Sequence, residues 1–270
     1  MATGLSFHIG LNRVEFRHYL WAGILRACEN DARDMQNLAK SQGFKSTMLL
    51  TKNATRENVI NQINRAADDL KSGDIFLLTY SGHGGQIKDF NGDEIYDQQD
   101  ETLCLYDGEL IDDELNILWL KFAEGVRILF ISDSCHSGTQ FKGINLNDAR
   151  INPISGIKKR FMPSDIANKT LKRNTIFYQN IFSKIPKTIE KPKASVIMIS
   201  ACLDNQLAAD GDFNGAFTSR LLQVWEGGKF NGDYKDFHKK IKTVLQEQTP
   251  KYSFFGEVNH QFENQRPFSI

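Results

Sequence analysis

No apolar run in this 270-residue chain approaches the roughly 20 residues needed to span a bilayer. Its opening stretch, MATGLSFHIGLNRVEF, has no basic segment leading into a long hydrophobic one, so the expectation is a soluble, cytoplasmic protein that neither enters a membrane nor is exported. Net charge is also missing, because 33 Lys and Arg balance 33 Asp and Glu. No overall field draws the chain to nucleic acid or anionic lipid, and any electrostatic selectivity must be local. Cysteine is sparse: Cys28, Cys104, Cys135 and Cys202 form no C-x-x-C pair. That argues against a disulfide framework and against a structural zinc site, and it leaves reduced thiols, one of which can be a nucleophile. There is no internal repeat and no low-complexity tract.

What is present is the composition of a globular protein, with 40% hydrophobic, 24% charged and 11% aromatic residues. Apolar runs bounded by turn residues recur at 5–12, 46–50, 74–80, 126–132 and 195–200, with another around YSFFGEV near the end. These read as strands. Helical spacing fills the stretches between and after them, at 22–42, 55–71, 113–123, 215–226 and 233–247. Strand and helix alternate, which predicts a single α/β domain over 1–270 with a mainly parallel sheet covered by helices on both faces. Two stretches interrupt the pattern. Residues 86–113 are acidic and turn-rich, with a β-hairpin expected around ETLCLYDGELI. Residues 142–193 hold twelve Lys or Arg against three acids and read as a long exposed connector with a short helix near 164–172.

The runs DIFLLTY and VRILFIS are apolar throughout, as expected of central strands buried on both sides. Each ends in a small, glycine-rich turn, YSGHGG in one case and DSCHSG in the other, which present His83 and Cys135 52 positions apart (135 − 83). Sites in open α/β sheets form beyond the carboxyl ends of strands, so the two turns should share one edge. A positioned imidazole that removes a thiol proton creates the reactive thiolate, which suits Cys135 as nucleophile and His83 as general base and acid. Amide groups of Gly84 and Cys135 are the candidate oxyanion donors. A separation near 50 residues is also that of the caspase His and Cys.

On these motifs, together with ACENDA (27–32) and SACLDNQLAAD (200–210), the chain resembles the caspase-like cysteine proteases of peptidase family C14, clan CD. Within them it is most similar to metacaspases and bacterial orthocaspases. The resemblance covers nearly the whole chain and implies a caspase-like (caspase-hemoglobinase) fold, with a six-stranded, mainly parallel sheet sandwiched by helices. It further implies a large-subunit-like part (1–141), the basic connector (142–193) and a small-subunit-like part (194–270). The residues flanking the nucleophile, DS and HSG, differ from those of true caspases. In metacaspases the acid at the position of Asp133 and the one at Asp31 line the pocket for the residue before the cut bond. Two carboxylates in a narrow pocket favour a cation between them, so Arg or Lys is expected there, Arg the better for its planar fork. Cys28 and Ser81 fall at matching positions, with a core role for Cys28 equally open.

A Lys- and Arg-rich connector joined to such an enzyme is a natural self-cleavage region, making the protein a zymogen. The leading sites are KKR at 158–160, hence Lys159 or Arg160, and KR ending at Arg173. The chemistry requires no cofactor, and no structural metal is expected. Calcium is a candidate activator, because Asp112 and Asp113 resemble part of the metacaspase ion site, although Lys142 stands near where a further acid would be. DFNGDEIYDQQD departs from an EF-hand loop at its sixth position, Glu94. His136 adjoins Cys135 but is expected to point away from it, in packing or hydrogen bonding, and His8, His18, His238 and His260 show no ligand spacing. Asp204 and Asp210 are expected to hold loops lining the site, and FNGAFT (213–218) to start a helix with a packing role. Expected partners are protein or peptide substrates with Arg or Lys before the cut bond, met by a monomer without nucleic acid or membrane. Two rivals stand beside this reading: a catalytically silent interaction domain that binds basic peptides, and a gingipain- or legumain-like protease of the same clan.

Overall fold

A computed structural model describes residues 2–88, 99–134, 159–186, 190–201, 209–245 and 248–270. The six apolar runs form one sheet: β1 (Gly4–Gly10), β2 (Lys45–Leu50), β3 (Ile75–Ser81), β7 (Arg127–Asp133), β8 (Ser195–Ser200) and β9 (Lys251–Gly256). Their order is β2-β1-β3-β7-β8-β9, parallel except for β9, which runs antiparallel to β8. Every residue of β3 is buried, whereas the edge strand β2 alternates between exposed and half-buried positions. That contrast is why continuous apolar runs mark central strands.

Helices cover both faces. One core gathers α2 (Cys28–Ser41), α7 (Ala216–Trp225), α8 (Tyr234–Val244) and α9 (His260–Asn264) over Leu77, Leu129 and Ile197. The other seats α3 (Arg56–Asp69) and α4 (Asp112–Trp119) against Phe76, Phe130 and Val196. Helix α2 begins at Cys28 and not near residue 22, because the chain from 20 to 25 is first folded back. Val14 N–H bonds to the Ala22 carbonyl, Leu25 N–H bonds to that of Asn12, and Leu20 and Gly23 take left-handed backbone angles. None of the described helices is long and apolar enough to cross a membrane.

The acidic stretch does contain a hairpin, β5 (Gln99–Leu105) and β6 (Gly108–Ile111), but β4 (Gly84–Lys88) joins it to make a second, three-stranded sheet. A strand at 84–88 had no apolar run to announce it. The connector departs further from expectation. From 159 to 182 it is not an exposed loop: after a short extended segment come α5 (Ser164–Arg173), where a short helix was expected, and α6 (Thr175–Phe182), docked on β4, β6 and α1 (Phe16–Tyr19) through Met162, Ile166, Tyr178 and Ile181. The physical reason is that α5 and α6 are amphipathic. Along α5 Lys169, Lys172 and Arg173 stay exposed while Ile166 and Thr170 are buried, and α6 buries Tyr178 and Ile181 while leaving Ile176 exposed.

Candidate active site

Strands β1, β3 and β7 end together, with Gly10 paired to Ser81 and Ser81 to Asp133. Beyond this edge, Ser81 leads through Gly82 to His83, so the histidine turn and the Asp133 end of β7 are neighbours. Cys135 and His136 lie outside the described residues, as do the Lys142 and Asp204 positions and Lys158. The imidazole of His83 is buried, and its Nε2–H donates to the Gly23 carbonyl at 2.9 Å. A carbonyl can only accept, so this contact fixes the tautomer with the proton on Nε2. The backbone of the turn is held as well, since the His83 carbonyl accepts from the Tyr80 hydroxyl (2.7 Å) and from Cys104 N–H (3.0 Å).

On the same edge three carboxyl groups surround one guanidinium. Asp31 comes from the first turn of α2, Asp133 from the end of β7 and Asp210 from the chain before α7, and the cation between them is Arg160. Arg160 is 0% exposed, and each acid 5% or less. Its Nη2 donates to Asp31 Oδ2 (2.7 Å) and Asp210 Oδ1 (3.1 Å), while Nη1 donates to Ser81 Oγ (2.8 Å) and the Asp133 carbonyl (3.2 Å) and lies 3.0 Å from Asp133 Oδ2. Ser81 Oγ in turn donates to Asp31 Oδ2 at 2.7 Å. Burial opposes the charge on Arg160, yet Asp133 first, then Cys28, Asp31 and Asp210, together push its pKa above the usual arginine range. For Asp133 burial is the largest influence and raises its carboxyl, with Arg160 pulling the other way.

The start of α7 ties two of these acids down. Asp31 Oδ1 accepts from Gly215 N–H and the Asn214 amide, each at 3.0 Å, and Asp133 Oδ2 from both the amide (3.0 Å) and the hydroxyl (2.7 Å) of Thr218. Thus FNGAFT, besides starting α7, holds Asp31 and Asp133, a role its sequence did not advertise. Gly215 also makes the room: a Cβ there would fall 2.5 Å from Arg160 Nη1. Asp210 does hold a loop, accepting from the backbone N–H groups of Arg26 (2.8 Å) and Ala27 (3.3 Å), and it meets the cation too. The Cys28 thiol is fully buried, pushed well above the ordinary range by burial, with Arg160, Asp31, Asp210 and Ser81 as neighbours. It is a core residue in contact with the cluster.

The backbone around Arg160 is as ordered as its side chain. Gly84 N–H donates to the Arg160 carbonyl (3.1 Å), and Met162 N–H donates back to the Gly84 carbonyl (2.8 Å). Lys159 forms an antiparallel bridge with Ala209, and Phe161 a parallel one with Gly84. The segment 159–162 is therefore held by isolated bridges to Gly84 and Ala209, with its carbonyl at 160 on the amide that follows His83. Arg173, by contrast, ends α5 away from this edge. Asp112 and Asp113 open α4, where Asp113 N–H donates to Asp112 Oδ1 and acids suit the positive end of the helix. Among the described residues no group of three or more His, Cys, Asp or Glu could hold a metal ion.

Residues 12–265 match the model of the caspase-domain family, Peptidase_C14. The chain belongs to that family. Metacaspase-1 of Schizosaccharomyces pombe (strain 972 / ATCC 24843) is 28% identical over 269 residues, covering 87% of this chain and 63% of that protein. The chain thus spans less than two thirds of that relative's length. The crystal structure of protein GSU0716 from Geobacter sulfurreducens superposes with a TM-score of 0.88 at 48% identity, covering 99% of both chains. Caspase-1 from Spodoptera frugiperda, at 13% identity, superposes with a TM-score of 0.56 over 93% of this chain and 86% of that one, a likeness of fold alone. The fold is caspase-like: a mostly parallel six-stranded sheet between helices.

Proposed function

We propose that this caspase-family chain is a cysteine endopeptidase of metacaspase type that cuts after Arg or Lys and that its own Arg160–Phe161 bond is a substrate. The observation that carries the reading is the Arg160 segment. Its side chain fills a pocket of three acids while its carbonyl oxygen accepts from Gly84 N–H, the amide expected to face a developing oxyanion. A peptide seated in this way has the residue before the cut bond and the reacting carbonyl in their working places at once.

In this reading Cys135 is the nucleophile. With Nε2 engaged by Gly23, Nδ1 of His83 takes the thiol proton, and the thiolate sulfur bonds to the Arg160 carbonyl carbon. The carbon–nitrogen bond to Phe161 then breaks, and the imidazolium returns its proton to the leaving amine. Water, deprotonated by the same imidazole, attacks the thioester and releases a carboxylate at Arg160 and the free thiol. No metal is needed for these steps; a calcium requirement, if measured, acts on the fold around Asp112 and Asp113 and not on the bond. Arg is preferred to Lys because the pocket meets both nitrogens of the fork, on Ser81 and Asp133 on one side and Asp31 and Asp210 on the other. A single ammonium cannot span them, so a preference of about tenfold follows.

Mass spectrometry of the wild-type chain beside Cys135→Ala, with and without calcium, tests the processing. Two fragments meeting at 160–161 are expected from the wild type alone, and identical intact masses in both would remove the idea. A fluorogenic peptide panel varied only before the cleaved bond tests the specificity, and faster turnover of an Asp peptide than of its Arg counterpart would refute it.

A further inference from the structure

The dyad reading gives His83 a role in proton transfer but leaves open what holds its ring. Gly23 takes one nitrogen, and the Trp21 ring lies against the imidazole with centroids 4.5 Å apart and planes at 52°. The turn between them is committed to this contact. Gly23 sits at φ +50°, and a Cβ added there would lie 3.0 Å from His83 Cδ2, 3.1 Å from its Nε2 and 2.9 Å from the Trp21 ring. Only glycine fits. Trp21 is itself half-buried and packs against a cluster of Val14, Tyr19, Cys104, Met162 and Ile166.

Two members of that cluster, Met162 and Ile166, belong to the connector just beyond the Arg160–Phe161 bond. Met162 is completely buried and bonded through its N–H to Gly84, beside the histidine. We infer that Trp21 is a positioning residue for His83, and that the Met162–Ile166 stretch is the brace behind it, retained as part of the active centre after the bond at 160–161 is cut. The inference rests on the Cys135–His83 reading and adds to it. Ordered packing on one face of the imidazole limits its swing, and misplacing a catalytic base by about 1 Å costs on the order of 100-fold.

The test uses the full chain, cut at 160–161 by a trace of wild-type enzyme, carrying Trp21→Ala, Trp21→Phe or Ile166→Ala. Turnover of an Arg peptide is measured together with the pH dependence of Cys135 alkylation by iodoacetamide. For Trp21→Ala we expect kcat about 30-fold lower, KM within about twofold and alkylation slowed in step, with Trp21→Phe restoring kcat to within about threefold and Ile166→Ala losing about fivefold. Unchanged kcat in Trp21→Ala, or a loss confined to KM with alkylation untouched, overturns the inference. Should Trp21→Ala fail to fold, Ile166→Ala decides: a lower kcat at constant KM supports the brace, and wild-type kcat removes it. Alkylation that His83→Ala leaves unaltered would instead strike the dyad itself.

Discussion

Two of the regions that bury carboxyl groups stabilise them by different means. At the sheet edge Asp31, Asp133 and Asp210 share the Arg160 guanidinium. On the neighbouring sheet Glu109 of β6, 2% exposed, meets the hydroxyl of Tyr178 from α6 and lies near Thr102, with Arg56 held aside by Glu114 and the Glu109 carbonyl. One cluster balances its acids with a cation, while in the other burial pushes the carboxyl up to about 7. The difference matters for what each can do. Three buried acids without their cation would leave uncompensated charge, whereas an acid that burial pushes up can shed its charge by taking up a proton.

Removing Arg160 should break the comparison most severely. Arg160→Ala, made in a Cys135→Ala background so that the chain stays intact, leaves three buried acids without a cation at pH 7, a loss of about 3–5 kcal/mol. Part should return as pH falls and Asp133, whose carboxyl burial already raises, takes up a proton. Thermal melting against pH checks this. A variant as stable as its parent at pH 7 would mean that water reaches the acids in place of the guanidinium.

The Glu109 cluster should respond to pH in its own way. Burial pushes its carboxyl up to about 7 from 4.5, against the pull of Tyr178, Arg56 and Thr102. An acid that binds its proton more tightly when folded stabilises the fold fully below about 4.5 and loses that contribution as pH rises to about 7. Over this span (7 − 4.5) the change is up to about 3 kcal/mol. Buried His8 and half-buried His18 act with the opposite sign, because burial lowers them to about 3 and about 4 and their contribution is lost as pH falls below 6.5. The wild-type curve minus that of Glu109→Gln cancels the histidines. That difference should decline from pH 4.5 to 7.5, and a flat one would show Glu109 ionised like a surface acid.

How much of this was legible in the sequence depends on range. His83 and Asp133 stand directly after uninterrupted apolar strands, so a local pattern placed them at one sheet edge, and alternation of strand and helix gave the parallel sheet. The basic triplet ending at Arg160 could be read as a chemical type, a bond such an enzyme would cut. Its burial could not, because a run of cations reads as solvated until the acids that neutralise it, 129 and 50 residues away for Asp31 and Asp210, are brought together. Trp21, Gly23, Gly215 and the Glu109–Tyr178 pair carry no periodic signal. Each matters through a neighbour supplied by a distant segment, and TIFYQNIF gave no hint that its tyrosine would reach a β-strand acid.

The finest separation of the two clusters comes from the hydroxyl alone. Tyr178 donates to Glu109, and its oxygen accepts from His18 Nε2 at 3.1 Å. Tyr178→Phe removes both bonds and keeps the ring that packs edge-on to Phe177. Near pH 6, where Glu109 is mostly protonated, the cost should be that of ordinary hydrogen bonding, about 1 kcal/mol. Since the hydroxyl is also one of the groups that pull Glu109 down, its loss should carry the carboxyl above 7 and move the pH-dependent decline to higher pH. Denaturant melts of Tyr178→Phe at pH 6 and pH 8 distinguish this from a simple packing defect, which would lower stability equally at both. An unshifted decline would mean that Arg56, not the hydroxyl, sets the charge on Glu109, and the two buried clusters would then rest on the same kind of partner after all.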